Sequence, residues 1–214
     1  MEAVLDLYAQ AYDAARPVVC FDELPYQMVA ETREPLPAAP GKPARYDYEY
    51  RRMGTCNLFA CFEPKAGRRQ IRVTQRRTSG DFAEAMRWLI DEGYPEAETV
   101  RVVPDNLNTH TGAAGALWAG TKRLRLRKHD ASCARWRSIT RQSTDRWLNQ
   151  GEIAWSVLTQ QCLERRIGDI ETLRREVGAW ERERNAAKAT VQWRFGGEKA
   201  RVKLARLYPS YLLS

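Results

Sequence analysis

The sequence predicts a mixed α/β fold, on three observations. Short β-branched or alternating apolar runs predict strands, and longer stretches with apolar residues every three to four positions predict helices. The two kinds of segment follow one another in the order strand, insertion, strand, strand, helix, strand, and then helices. The hydrophobic fraction of 43%, with seven Trp, is typical of a folded protein, and 214 residues suffice for one full core.

The first strands are predicted from β-branched and alternating patterns. Residues 17–23 form an apolar run after a proline, which predicts a buried strand. Residues 24–53 contain five Pro, so we expect a long irregular insertion that ends in an edge strand. The segments 55–63 and 70–74 predict a hairpin closed by a turn at residues 64–67.

A helix and a further strand follow the hairpin. Ser79 is expected to cap the helix. The apolar face of this helix consists of Phe82, Met86, Leu89 and Ile90. Residues 99–104 predict a buried strand, although Pro104 lacks an N–H group and proline is poorly tolerated in central strands.

The last third of the chain is predicted to be helical. Helices are expected over residues 147–167, 169–187 and 197–207. The residues expected to face the core from the first of them are Ile153, Val157, Leu158 and Leu163. The three tyrosines Tyr46, Tyr48 and Tyr50 alternate like one face of a strand, so they are interpreted as packing residues.

Composition argues against several classes of protein. No run of about 18 apolar residues is present, so we expect no membrane span. The first residues lack the basic flank and apolar stretch of a secretory signal, which favours the cytoplasm. The five Cys form no C-x-x-C pair and only two His are present, so a zinc site is not expected and the thiols are interpreted as packing residues.

The charge is concentrated in one stretch. The formal net charge is +8, which favours an anionic partner such as nucleic acid. Residues 112–146 contain nine Lys or Arg and two Asp, and therefore hold +7 of this charge. Such a concentration is unlike a basic surface spread over a DNA channel.

Three carboxylates occupy positions that the predicted fold could bring together. Asp22 closes the apolar run that begins at Pro17, Asp105 closes the strand over residues 99–104, and Glu152 lies on a predicted helix. Carboxylates at the ends of buried strands, joined by one from a helix, are able to hold Mg²⁺ against a phosphodiester, because hard cations prefer oxygen ligands. Two such ions clamp the attacking and leaving oxygens of an in-line displacement.

Several segments together resemble a known family. They are residues 18–25 (VVCFDELP), 45–50 (RYDYEY), 54–59 (GTCNLF) and 105–110 (DNLNTH), with a tail that begins at residues 180–185 (WERERN). In combination they resemble the DDE transposases of bacterial insertion sequences, most closely the insertion-sequence family numbered 630 within the mariner superfamily. The similarity covers roughly residues 1–111 and 147–209.

The resemblance implies an RNase H-like α/β fold, with a mixed sheet flanked by helices, and DNA cleavage at transposon ends followed by strand transfer through a 3′-hydroxyl. It implies Mg²⁺, or Mn²⁺, held by Asp22, Asp105 and Glu152 as the catalytic acids. Without the metal, three converging acids would raise one another's pKa values. Glu23 and Asn106, beside two of the ligands, are expected to orient them.

The partners implied are double-stranded DNA and a second copy of the chain, with no membrane and no small-molecule cofactor. The candidate DNA contacts are His110, Arg123, Arg125, Arg127 and Lys128. In this interpretation residues 1–16 lead into a catalytic domain over residues 17–167, and residues 168–214 form a helical extension of the same domain.

The chain departs from the family in three ways that bear on activity. One is Pro104 immediately before Asp105, where the family usually has an ordinary residue. The family has a helix-turn-helix region before the catalytic domain, and we expect this end-recognition part to be missing. The family also carries His-Tyr-Thr-Pro-Lys-His-Gly-Ser before its Trp-Leu-Asn, whereas here Trp147 follows Arg-rich sequence. Codons exist for residues 139–146 that encode the family motif in a shifted frame, so we hypothesise that residues from about 112 to 146 are translated out of frame.

Two alternatives to an active, though impaired, transposase domain stay open. One is an inactive remnant of a transposase. The other is a non-catalytic DNA-binding protein that uses the basic segment 122–146, and it predicts salt-sensitive binding that survives loss of the acids.

Overall fold

The computed structural model describes residues 2–104, 136–138 and 148–207. Its centre is a five-stranded sheet with the strand order β3-β2-β1-β4-β5. The strands are β1 (Val18–Glu31), β2 (Tyr50–Glu63), β3 (Arg68–Thr74), β4 (Val100–Pro104) and β5 (Trp136–Ser138). The first three pair antiparallel, and β4 and β5 continue the sheet in parallel with β1. The predicted mixed α/β class is therefore confirmed.

The first two strands are longer than expected, which corrects the prediction of an irregular insertion over residues 24–53. β1 and β2 pair from Cys20 with Phe62 to Glu31 with Tyr50, with one irregularity after Gln27. Only the stretch between them, residues 32–49, has the expected irregular character. The five prolines misled the prediction because one of them, Pro25, is built into the ladder.

Pro25 is tolerated in β1 because its nitrogen faces away from the paired strand β2. The N–H group of Arg101 in β4 donates to the Pro17 carbonyl, so odd-numbered residues of β1 direct their backbone polar groups toward β4. Pro25 belongs to this set, but the pairing of β1 with β4 ends at Phe21. Its missing N–H group therefore breaks no bond of the described ladder.

Pro104 is accommodated by the same geometry, contrary to the expectation that it would disturb a central strand. It is the last residue of β4 and pairs with Phe21. Since Arg101 donates to β1, Pro104 belongs to the alternate set that faces β5. The described pairing with β5 ends at Val102, so no described ladder bond is lost.

The hairpin of β2 and β3 is confirmed, with its turn where the sequence predicted it. The N–H group of Gly67 donates to the Glu63 carbonyl over 2.9 Å. Gly67 has φ +66°, a left-handed conformation that favours glycine.

Helix α2 (Ser79–Trp88), extended by a π turn over Leu89–Gly93, covers one face of the sheet. Its N-cap is Thr78 and not the predicted Ser79. The Thr78 hydroxyl accepts from the Asp81 N–H group over 3.2 Å, and the Asp81 carboxylate accepts from the Thr78 N–H group over 2.7 Å. This reciprocal pair is a capping box, which the hydroxyl of Ser79 does not form. The predicted apolar face of α2 is buried against Phe21 and Phe59, as expected.

The opposite face is covered by α3 (Gly151–Leu158), which continues as a π turn over Thr159–Leu163, and by α4 (Ile170–Ala186). The prediction of one helix over residues 147–167 was too long. It also assigned Ile153 to the core, whereas Ile153 is 36% exposed. The buried stripe of α3 consists of Gly151, Ala154, Trp155 and Leu158.

The remaining helices pack at one end of the sheet. Helix α1 (Glu2–Ala9) buries four of its residues beside Cys20 and Val103, and α5 (Gly197–Lys203) contributes Ala200 to the same cluster. Helices α4 and α5 lie where the sequence predicted them. Among the described helices, none combines the length and the apolar character that crossing a bilayer requires.

Two tyrosines of the insertion between β1 and β2, and the tyrosine that begins β2, are exposed, so their interpretation as packing residues was wrong. Tyr46, Tyr48 and Tyr50 are 69%, 87% and 49% exposed. The stretch is held at its base by Arg166, whose guanidinium donates to the Asp47 carbonyl over 2.6 Å and to the Glu49 carbonyl over 2.7 Å. Residues 112–135 and 139–146 lie outside the described residues, so the frameshift stays a hypothesis.

Candidate active site

Asp22 is the fifth residue of β1 and follows Phe21, where the described parallel pairing with β4 ends. It is 6% exposed and lies opposite Ala60 of β2. Its carboxylate accepts from the N–H group of Glu23 over 2.8 Å, which fixes the orientation of one oxygen. The preceding residue, Phe21, pairs with Pro104, the residue before Asp105 in the chain.

The start of α3 is fastened to β1 beside Asp22. The side-chain amide of Asn149 donates to the Phe21 carbonyl over 3.1 Å, and its oxygen accepts from the Gly151 N–H group over 3.0 Å. Asn149 is 2% exposed, so both bonds are shielded from water. One side chain thus joins the strand that carries Asp22 to the first residue of the helix.

Gly151 permits the helix to come this close. A Cβ atom at this position would lie 3.1 Å from the Asp22 Cβ atom and 3.1 Å from the Asn149 side-chain oxygen. Both distances are shorter than ordinary van der Waals contact. The backbone of α3 therefore packs directly against Asp22, and a side chain there would separate the two.

Glu152 follows Gly151 in the first turn of α3. Its N–H group donates to the Asn149 carbonyl over 3.1 Å, while its side chain is exposed. A carboxylate in a first helical turn is favoured by the helix dipole. The structure thus brings the helix turn that bears Glu152 against the strand position of Asp22, although the two residues are 130 positions apart in the sequence.

Glu23 contacts Asp22 through its backbone and not through its carboxylate. Successive side chains of a strand point to opposite faces, so the Glu23 side chain lies on the α2 face. There one carboxylate oxygen lies 3.6 Å from the Nε atom of Arg77. The orienting role predicted for Glu23 stays a prediction, and the contact that supports it is the N–H bond to Asp22.

The other predicted site residues fall outside the described residues. They are Asp105, Asn106, His110, Arg123, Arg125, Arg127 and Lys128. Within the described ranges 2–104, 136–138 and 148–207, no group of three or more His, Cys, Asp or Glu has the geometry to hold a metal ion. The predicted metal ligands include Asp105, which lies outside these ranges, so that finding does not test the predicted metal site.

Sequence reasoning missed Asn149 and Gly151 as site residues. A signal was present, since Asn149 belongs to the Trp-Leu-Asn motif that carried part of the family resemblance. A glycine at the first position of a predicted helix was a second signal, because glycine weakens a helix unless close contact requires it.

The described cysteines take no part in this site. Cys20, Cys56, Cys61 and Cys162 are buried, as expected for packing residues. Burial raises the pKa of the Cys61 thiol well above its ordinary value, which keeps it protonated and unreactive.

A comparison with protein-family models assigns the chain to a family. The family described as DDE superfamily endonuclease matches residues 17–135, which is more than half of the 214 residues. This chain belongs to the DDE superfamily endonucleases. The match includes Asp22 and Asp105, the first two predicted acids, and it confirms the resemblance at the level of the DDE superfamily. Membership of the insertion-sequence family numbered 630 stays a prediction.

Solved structures of mariner transposases share the fold of this DDE domain. A crystal structure of the mariner Mos1 paired-end complex with Mg is 15% identical with a TM-score of 0.55, and covers 90% of this chain and 61% of that chain. The Mos1 transposase paired-end complex with left transposon end is 16% identical with a TM-score of 0.55, and covers 88% and 55%. The Mos1 mariner paired-end complex with Mn is 16% identical with a TM-score of 0.51, and again covers 88% and 55%.

These similarities confirm the predicted RNase H-like fold, with its mixed sheet between helices. The chain spans a little over half the length of the solved transposases that it matches. No curated protein matches the chain.

Proposed function

We propose that this chain is the catalytic domain of a transposase, which cleaves DNA at transposon ends and transfers the cut strand. The observation that carries the proposal is the packing of the first turn of α3, which includes Glu152, against β1 beside Asp22 through Asn149 and Gly151. Membership of the DDE superfamily endonucleases supports this assignment of the acids.

The donor atoms suit a hard divalent cation. Asp22, Asp105 and Glu152 offer carboxylate oxygens, the ligands that Mg²⁺ and Mn²⁺ prefer. A bound pair of such ions would supply an activated nucleophile and stabilise the leaving oxygen of the phosphodiester. The Mos1 complexes with Mg and with Mn make the same two ions the first to test here.

The neighbouring residues of this chain orient the acids. The Glu23 N–H group holds one oxygen of Asp22 and so orients its carboxylate. Asn149 fixes the distance between β1 and α3, and Gly151 keeps that distance short. The exposed side chain of Glu152 is then free to turn toward a metal or toward DNA.

The proposed partners are double-stranded DNA and a second copy of the chain. The net charge of +8 favours a polyanion. The similar Mos1 structures are paired-end complexes, one of them with the left transposon end, which supports DNA as substrate and a pair of subunits as the working unit.

Nicking of supercoiled plasmid in Mg²⁺ or Mn²⁺ tests this function without knowledge of the end sequence. We expect metal-dependent nicking by the protein and a loss of at least about 100-fold in Asp22→Asn, because a ligand should matter at least as much as the groups that orient ligands. Asp22→Asn keeps an acceptor for the Glu23 N–H group, so the variant should fold. Equal nicking by both proteins would contradict the proposal, and no nicking by either would favour an inactive remnant.

A further inference from the structure

A cavity of about 180 Å³ lies beside Val18, at the start of β1. It is lined by α1, by the end of β2 and by residues 191–193. Val18 precedes Asp22 by four positions of extended strand, a span of about 13 Å. Gln150, between Asn149 and Gly151 in the chain, also lines the cavity, so its wall adjoins the start of α3.

Three polar atoms of the cavity lining have no hydrogen-bond partner among the described residues. They are the side-chain oxygen of Gln150, the indole N–H group of Trp193 and one carboxylate oxygen of Glu63. Gln150 is 2% exposed, so water does not satisfy its oxygen from outside. A buried acceptor without a partner destabilises a fold, which makes such an atom a sign that something else binds there.

The walls of the cavity are aromatic. Tyr8 and Trp193 contact each other edge to face, with ring centroids 5.9 Å apart, and Tyr12 contributes a third ring. The Tyr8 hydroxyl is already used, since it donates to the Leu148 carbonyl over 3.0 Å. Rings of this kind favour a flat, π-rich ligand.

Three cations and two carboxylates line the same cavity. The cations are Arg16, Lys65 and Arg101, and the carboxylates are Asp13 and Glu63. Burial lowers the pKa of Lys65, and the nearby Arg101 lowers it further. Burial lowers the pKa of Arg101, Asp13 partly offsets this decrease, and Arg16 adds to it. Asp13 pairs with Arg16 over 2.9 Å, but Lys65 and Arg101 lie close enough to repel each other. An anion beside them would relieve this repulsion.

We propose that this cavity binds a nucleoside monophosphate. The base would lie among the aromatic side chains, donate to the Gln150 oxygen and accept from the Trp193 N–H group, while the phosphate would lie beside Lys65 and Arg101. The cavity is smaller than the roughly 300–1,000 Å³ of sites for drug-sized ligands, so it suits one heterocycle with the phosphate toward the opening. The proposal does not rest on the proposed function and stands even if the chain cleaves no DNA.

Isothermal titration calorimetry of the full chain tests it. The probes are AMP, adenosine, inorganic phosphate and a single-stranded oligonucleotide with a 5′-terminal phosphate. We expect AMP to bind with one-to-one stoichiometry, and adenosine and phosphate each to bind at least about tenfold more weakly. Oligonucleotide binding as tight as that of AMP would identify a strand terminus as the source of the nucleotide, and AMP binding alone would identify the free ligand. No binding of AMP or oligonucleotide at millimolar concentration would overturn the proposal.

Two variants assign the binding to this cavity. Gln150→Leu removes the unsatisfied acceptor and Lys65→Ala removes a cation, and each should weaken AMP binding about tenfold. Lys42→Ala, an exposed lysine elsewhere, is the matched control and should bind like the parent.

The melting temperatures of the ligand-free proteins show whether a variant binds AMP weakly because it has lost a ligand contact or because it folds poorly. Because Gln150→Leu removes an unsatisfied buried group, its melting temperature should equal or exceed that of the parent. A clear fall would show that the Gln150 oxygen is satisfied within the fold, which would overturn the proposal. Unchanged AMP binding in both variants would also overturn it.

Discussion

At the scale of single residues, one buried amide holds the candidate active site together. Asn149 uses its donor on the Phe21 carbonyl and its acceptor on the Gly151 N–H group. The donor reaches β1 at Phe21, where the described pairing of β1 with β4 ends. The Asp22 carboxylate and the helix turn of Glu152 therefore share one anchor.

Replacing that anchor should cost both stability and activity. Asn149→Ala removes two buried hydrogen bonds, so we expect a loss of roughly 1–3 kcal/mol in the free energy of unfolding. Chemical denaturation measures this loss. Asn149→Asp is the informative control, because it keeps the acceptor for Gly151 but replaces the donor to the Phe21 carbonyl with a charged oxygen. An unchanged unfolding free energy in both variants would contradict the anchoring role.

A second buried carboxyl should make stability depend on pH. Burial raises the pKa of Glu63 above its ordinary value of 4.5, and the hydrogen bond from the Tyr94 hydroxyl, 2.8 Å long, partly offsets the increase. The folded state then binds the proton more tightly than the unfolded chain does. The stabilisation is complete below about 4.5 and is lost as the pH rises through the raised pKa.

Glu63→Gln should remove this dependence. We expect the difference in melting temperature between pH 5 and pH 7.5 to be smaller in the variant than in the parent. Tyr94→Phe removes the hydrogen bond that lowers the pKa of Glu63, so the loss of stability should move to higher pH. Melting curves of the three proteins that respond identically to pH would contradict the assignment.

At the scale of elements, the position of α3 follows from a close backbone approach. The stripe that begins at Gly151 and continues through Ala154, Trp155 and Leu158 is buried because Gly151 touches Asp22. The stripe predicted from the sequence contained Ile153, which lies on the exposed side of the helix. Apolar periodicity could not distinguish the buried stripe from the exposed one. The residue that sets the buried face is Gly151, which has no apolar side chain to contribute to the pattern.

Gly151→Ala should therefore lower the nicking activity without a matching loss of stability. Alanine gains up to about 1 kcal/mol of helix propensity, yet its Cβ atom would push against Asp22 and Asn149. We expect nicking to fall at least about tenfold, because small displacements of catalytic groups are costly, while the melting temperature changes little. Gly178→Ala on α4 is the control, since its Cβ atom would meet only the Arg182 side chain at 3.5 Å. Equal nicking by both variants would refute the close-approach account.

The insertion between β1 and β2 is fastened by one arginine. Arg166 donates to the backbone of Asp47 and Glu49 and forms an ion pair with Glu31. Arg166→Lys keeps the positive charge but loses the planar guanidinium, which donates to both carbonyls. Because these bonds hold the stretch in place, we expect amide hydrogen exchange over residues 47–50 to accelerate about tenfold. Arg165→Lys, whose partners are Glu176 and the Cys162 carbonyl, should leave that exchange unchanged. Equal exchange in the two variants would rule out this role.

Strand and helix identity were largely predictable from local pattern, but the extent of elements was not. The hairpin turn ending at Gly67 and the buried face of α2 were visible in the sequence, because they depend on residues close together in the chain. The full length of β1 was hidden, because Pro25 is acceptable only where β4 no longer pairs. Asp22 was predictable from its strand, whereas Asn149 gains its role from a contact 128 residues away.

At the scale of the whole molecule, the layers give each face of the sheet a different task. Helix α2 seals one face with an apolar cluster that includes Phe21 and Phe59. The other face carries Asp22 beside α3, and α1 packs near Cys20 of the same strand. The cavity beside Val18 forms a second polar region at the start of β1. The two regions therefore adjoin along a single strand, with Gln150 next to both.

The central claim is that Asp22, Asp105 and Glu152 together hold a divalent metal, and Mn²⁺ binding measured by electron paramagnetic resonance tests it most directly. The parent protein and the variants Asp22→Asn, Asp105→Asn and Glu152→Gln would be titrated in parallel, with circular dichroism to verify folding. We predict that the parent binds Mn²⁺ and that each variant binds at least about tenfold more weakly, because each loses one carboxylate ligand. Equal Mn²⁺ binding by all four folded proteins would contradict the claim.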